Sequence, residues 1–139
     1  MGTKIRPELS AKNKYWINRH RYYELKHFCL QYHDWKKAYL AIDGLSKRPA
    51  ELEMVAKTNA CGDPTAKCAM AKEYYSDKMK MVEQAAIGAD PDLASYILRA
   101  VTEELSYTYL KTNLGMPCSK DTYYDRYRKF FWLLNEARK

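Results

Sequence analysis

Five glycines and five prolines are spread through 139 residues, and they fall where helices would begin or end. Pro lacks the N–H that a helix interior needs, and Gly permits the turns that close a helix, so the two together punctuate the chain. Between them β-branched residues are sparse and never alternate with polar ones over a useful length. A half-buried strand requires that alternation; here the apolar residues recur at steps of three and four. The expected fold class is all-α, a helical bundle with a long central helix.

The punctuation gives the elements. A first helix is expected from about Arg19 to Tyr32, with Tyr22, Leu25, Phe28, Cys29 and Tyr32 on one face. A second is expected from about Asp34 to Asp43, with Trp35, Ala38, Tyr39 and Ile42 inward and Gly44 as its stop. Within residues 45–62, Pro49 to Ala56 fits either a short helix or a surface loop. Asp63-Pro64 is a start signal, because Asp caps free N–H groups and Pro suits the first helical position. The helix it opens runs to Ala86, with Gly88 following. Cys68, Ala71, Tyr75, Met79, Val82 and Ala86 step along it as 3, 4, 4, 3, 4, close to a heptad seam that fits packing inside the monomer or against a partner helix. Asp90-Pro91 repeats the start signal ahead of Leu93, Tyr96, Ile97, Ala100, Val101 and Leu105. The expected organisation is basic, aromatic-rich N-terminal helices over 1–62, the long central helix over 63–89 and a C-terminal segment over 90–139.

Charge is uneven along this plan. Of 24 Lys+Arg and 17 Asp+Glu, residues 1–48 hold 11 and 4, and residues 49–139 hold 13 of each, so the whole net +7 sits in the first third. A basic segment favours a polyanionic partner and excludes an acidic nucleic-acid mimic. Lys12, Lys14, Arg19 and Arg21, interleaved with Tyr15, Trp16 and Tyr22, are candidates for secondary phosphate contacts. The same residues also fit a reading in which the aromatics are core and the cations merely solvated. No stretch approaches the roughly 18 apolar residues of a membrane span, and Met1 to Lys14 has no apolar core of signal-peptide type. The expectation is an intracellular protein with no membrane partner.

The last third carries the most specific pattern. Ser106 can cap a short helix from Tyr107 to Asn113. Leu114-Gly115-Met116-Pro117-Cys118 then makes a turn, and Ser119 can cap a final helix to about Asn135. Helix, glycine turn, cap residue and basic helix in that order form a helix-turn-helix pattern. Placing Tyr123, Tyr127, Phe130 and Leu134 inward puts Asp121, Asp125 and Arg128 on the opposite face, flanked by Lys120, Thr122, Tyr124 and Lys129. These residue types read bases or grip phosphates: Arg suits guanine, Asp accepts from cytosine, and Thr or Tyr reaches phosphate or a thymine methyl. The candidate DNA-binding set is Ser119, Lys120, Thr122, Tyr124, Asp125, Arg126, Arg128 and Lys129. Trp132 falls on the outward side, where it can seal the helix against the N-terminal helices or a second subunit.

From Leu93 to Asn135 the order Leu105-Ser106-Tyr107, Leu114-Gly115, Ser119, Thr122-Tyr123 and Arg126 resembles region 4 of bacterial sigma factors. More of the chain, about residues 15–137, is similar to the small late-transcription regulators of phages and prophages of the RinA/ArpU kind. The resemblance lies in Tyr22-Tyr23-Glu24-Leu25 through Tyr32-His33-Asp34-Trp35, in Gly62-Asp63-Pro64-Thr65-Ala66, and in Lys120-Asp121-Thr122-Tyr123-Tyr124-Asp125-Arg126-Tyr127. It implies a double-stranded DNA-binding regulator of late genes in the cytoplasm of a bacterial host, with RNA polymerase and a second copy of the chain as further candidate partners. Pro117-Cys118 departs from the pattern by lengthening the turn.

Other chemistries find little support. There is no G-x-S-x-G, H-E-x-x-H or Gly-rich phosphate loop. Glu103 and Glu104 are neighbours and point about 100° apart, so they do not make a nuclease's convergent carboxylates. Cys29, Cys61, Cys68 and Cys118 form no C-x-x-C pair, and His20, His27 and His33 are scattered around a helix, so neither a metal nor a cofactor is expected. The alternatives to a DNA-reading regulator are a helical protein-interaction module and a phage DNA-packaging recognition subunit.

Overall fold

The computed structural model describes residues 14–46 and 64–139, so the expectations for Lys12, Cys61, Asp63 and Pro49 to Ala56 lie outside the described residues. Among the described residues there are six helices and no strand: α1 (Arg19–Leu30), α2 (Tyr32–Ser46), α3 (Pro64–Ala89), α4 (Ala94–Glu103), α5 (Tyr107–Asn113) and α6 (Lys120–Ala137). The protein is all-α.

Three boundaries differ from the expectation, each for a local reason. α2 continues through Gly44 to Ser46. α3 continues through Gly88 to Ala89. A glycine inside a helix costs only about 1 kcal/mol against alanine, so it stops a helix only where nothing favours continuing. At Gly88 a Cβ would meet Leu133 Cδ1 at 3.1 Å, so the missing side chain serves close approach of α6 and not termination. Asp90 spends its carboxylate on a single turn: Oδ1 accepts from the Asp92 N–H at 2.9 Å, and the Asp90 carbonyl accepts from Leu93 N–H at 3.2 Å. Such local turns compete with helix, and α4 starts only at Ala94, with Leu93 as an N-cap that makes no side-chain cap bond.

The chain forms two compact units, Met1–Gln31 with Met81–Lys139, and Tyr32–Lys80. The long helix α3 contributes its first turns to one and its last turns to the other. In the Tyr32–Lys80 unit, Tyr32 and Trp35 of α2 are buried. Lys72 and Lys78 of α3 lay their ammonium groups 5.3 Å from the Tyr39 ring and 5.8 Å from the Trp35 ring, a cation–π seam between α2 and α3. The expected heptad positions Cys68, Ala71, Tyr75 and Met79 are only half-buried, whereas Val82 and Ala86, in the other unit, are buried.

In that other unit α1 packs against α4 and α6, and α4 against α5. Its core is Ile17, Tyr22, Leu25, Phe28 and Cys29 with Val82, Ala86, Leu93, Ile97, Val101, Leu110, Phe130, Phe131 and Leu134. Burying one such side chain contributes about 1.5–3 kcal/mol. The C-terminal end of α6 is tied to α1. Arg21 Nε donates to Asn135 Oδ1 at 2.6 Å and its Nη2 to the Arg138 carbonyl at 3.3 Å, while the Arg138 guanidinium lies 3.8 Å from the Phe28 ring centre. Trp132 packs within the chain, 6.0 Å from the Tyr15 ring.

Candidate nucleic-acid interface

Residues 106–137 build a surface from two capped helices and a fastened turn. Ser106 Oγ accepts from the Tyr109 N–H at 3.1 Å and starts α5. Ser119 Oγ accepts from the Thr122 N–H at 3.3 Å and donates to Thr122 Oγ1 at 2.9 Å, which starts α6. These bonds satisfy donors that have no partner within the helix. Gly115 turns the chain at φ +66°, the left-handed region in which a side chain is strained.

The turn contains Pro117 and Cys118, yet it is fastened through its Met116 and Cys118 backbone groups. Met116 N–H donates to the Leu110 carbonyl at 3.1 Å. Tyr107 Oη donates to the Cys118 carbonyl at 3.2 Å, and Lys111 Nζ donates to the Met116 and Cys118 carbonyls, both at 3.2 Å. The Met116 side chain is buried as a plug beneath the turn. Of the two extra residues, Cys118 thus adds a carbonyl that α5 itself holds. Desolvation holds the Cys118 thiol above its ordinary pKa.

One side of α6 is anchored by Tyr123, Phe130, Phe131 and Leu134, all buried. Tyr127 extends this side: its hydroxyl is 3.1 Å from that of Tyr22, one donating to the other, and its ring is 4.9 Å from Phe131. Burial drives the Tyr127 and Tyr123 phenols well above their ordinary pKa, so both stay neutral. The Tyr107 ring sits 5.6 Å from Tyr123, bringing α5 onto α6.

The other side is accessible. Ser119, Lys120, Asp121 and Thr122 are exposed, and Tyr124, Asp125, Arg126, Arg128 and Lys129 are half-exposed. The structure divides these candidates. Arg126 is occupied by the protein itself: Nε donates to Asp90 Oδ2 at 3.2 Å, and Nη1 to Asp125 Oδ2 at 2.6 Å. Lys120 leans over the Tyr124 ring at 5.7 Å. Among the described residues no carboxylate lies within 4.0 Å of Lys120, Arg128 or Lys129.

The N-terminal cations divide in the same way. Arg21 is a brace to α6 and also pairs with Glu24 at 2.8 Å. Arg19 lies over the Tyr23 ring at 5.9 Å and Lys14 over Tyr15 at 4.9 Å. Phe131, Asp90 and Lys111 were outside the expected set. The four-residue step from Tyr127 could have found Phe131, whereas nothing local links Asp90 to a residue 36 positions away.

Among the described residues no three His, Cys, Asp or Glu side chains come together to hold a metal ion, and no helix is long and apolar enough to cross a membrane. No protein-family profile, no curated protein and no solved structure matches the chain.

Proposed function

We propose that this chain is a sequence-specific double-stranded DNA-binding transcriptional regulator of phage or prophage late genes, with α5, the turn and α6 acting as its helix-turn-helix. One observation carries it: α6 is anchored by a single aromatic side while its opposite side keeps Lys120, Arg128 and Lys129 accessible and unpaired among the described residues. The helix is about 27 Å long at 1.5 Å per residue, and a major groove about 12 Å wide admits a helix of that kind. Ser119 leaves the N-terminal end open toward solvent, where the helix dipole favours phosphate. The late-gene assignment rests on the resemblance of the sequence to RinA/ArpU-type regulators, and with it come RNA polymerase and a second copy of the chain as candidate partners.

The test is a salt titration of binding to duplexes selected in vitro from a random library. Affinity for a selected duplex should fall steeply between low and moderate salt, with a log–log slope near the number of phosphates neutralised. A shallow slope and no enriched motif refute the proposal. A second reading, a protein-interaction module, is favoured by exposed Leu40, Met70 and Tyr74 in the Tyr32–Lys80 unit. Its binding to a partner should be nearly independent of salt, and Met70→Glu should abolish it.

A further inference from the structure

The outer side of α6 carries acids as well as bases, and the structure treats the acids differently. Asp125 has its charge answered by Arg126 at 2.6 Å, and Arg126 is in turn held by Asp90. Asp121 is exposed in the first turn, and among the described residues no cation lies within 4.0 Å of it. A bare carboxylate on a surface meant for phosphate is unfavourable for binding DNA in general, because like charges repel. It is favourable only where it meets a hydrogen-bond donor, and the donors in a major groove are the exocyclic amino groups of cytosine and adenine.

Asp121 and Arg128 are seven residues apart, so they lie nearly in line along the helix, about 10.5 Å from each other. A helix seated in a major groove lies at an angle to the duplex axis, so residues two turns apart address base pairs about two steps apart. We infer that Asp121 is a specificity-determining acceptor, selecting a cytosine or adenine amino group about two base pairs from a guanine read by Arg128. The assignment rests on the duplex-binding reading of α6. Asp121 discriminates in two ways: it rewards the amino-bearing base and repels phosphate wherever that base is absent. Thr122 and Lys129, on the neighbouring line of the helix, remain available for the backbone.

The experiment compares the full chain with Asp121→Ala by in vitro selection, followed by affinity for the selected duplex and for its single-base variants. The wild type should enrich cytosine or adenine at one position about two steps from a guanine. Asp121→Ala should lower the preferred-to-variant affinity ratio at that position by about tenfold, leave the guanine preference in place, and raise affinity for an arbitrary duplex. Loss of a favourable helix-end charge would weaken all duplexes alike and cancels in the ratio. An unchanged ratio overturns the assignment while duplex reading stands. A wild type that enriches no motif overturns both.

Discussion

Gly115→Ala isolates the backbone cost of the turn that aims α6. Gly115 has φ +66°, and a Cβ added there would meet no atom within 4 Å. The substitution therefore causes no clash, and its whole effect comes from backbone conformation. Holding a non-glycine residue left-handed costs about 1–2 kcal/mol, and alanine recovers about 0.4–1 kcal/mol by restricting the unfolded chain. The net expectation is a loss of about 1 kcal/mol, or roughly 3–5 °C in Tm. Thermal unfolding followed by far-ultraviolet circular dichroism reads this directly. Gly115→Asn should cost less than Gly115→Ala, because asparagine tolerates the left-handed region. An alanine variant as stable as the wild type, or an asparagine variant less stable than the alanine one, would refute the assigned conformation.

The opposite sign is expected at Glu104, a non-glycine residue at φ 55° that ends α4. Glu104→Gly should stabilise by about 0.5–1 kcal/mol, since the exposed 3.8 Å pair with Lys26 that it loses contributes little; urea denaturation checks the sign. Arg128→Ala should weaken binding to a selected duplex by about 1–3 kcal/mol and relax selection at the guanine, and unchanged affinity in a fluorescence anisotropy titration would exclude Arg128 as a reader. Lys129→Ala should reduce the salt slope by about one with no change in Tm, whereas Arg126→Ala should lower stability by about 1 kcal/mol and leave the slope alone, because its guanidinium braces Asp90. Burial holds Tyr127 and Tyr123 protonated beyond pH 10, near which an unfolded tyrosine ionises. Above that pH the folded chain retains protons that the unfolded chain releases, so stability is full below pH 10 and falls as pH rises, by up to about 1.4 kcal/mol per unit per group. Phenolate absorbance near 295 nm should then rise together with loss of helix, and ionisation of all tyrosines near pH 10 in a still-folded chain would contradict the burial.

What the sequence made legible was what local chemistry decides. The α5 and α6 starts were readable because Ser106 and Ser119 each bond an N–H three residues on, at Tyr109 and Thr122. The apolar face of α1 was readable because three- and four-residue steps alone place Tyr22, Leu25, Phe28 and Cys29 inward. Gly44 and Gly88 misled because a glycine's effect depends on what surrounds it, and at Gly88 the decisive neighbour is Leu133, 45 positions away.

The candidate interface shows the same limit more sharply. Arg21, Arg126, Arg128 and Lys129 are equivalent cations in the sequence, all on helices and all near aromatics. Their partners separate them. Asn135 and the Arg138 carbonyl take Arg21, and Asp90 takes Arg126, across separations of 114, 117 and 36 residues. A guanidinium so held has its donors directed into the protein and would have to break charge-assisted bonds to reach a phosphate. Arg128 and Lys129 face no such cost among the described residues. The positive edge of α6 is therefore smaller than the count of basic residues suggests, and its character is set as much by Arg126 neutralising Asp125 as by the cations that remain exposed.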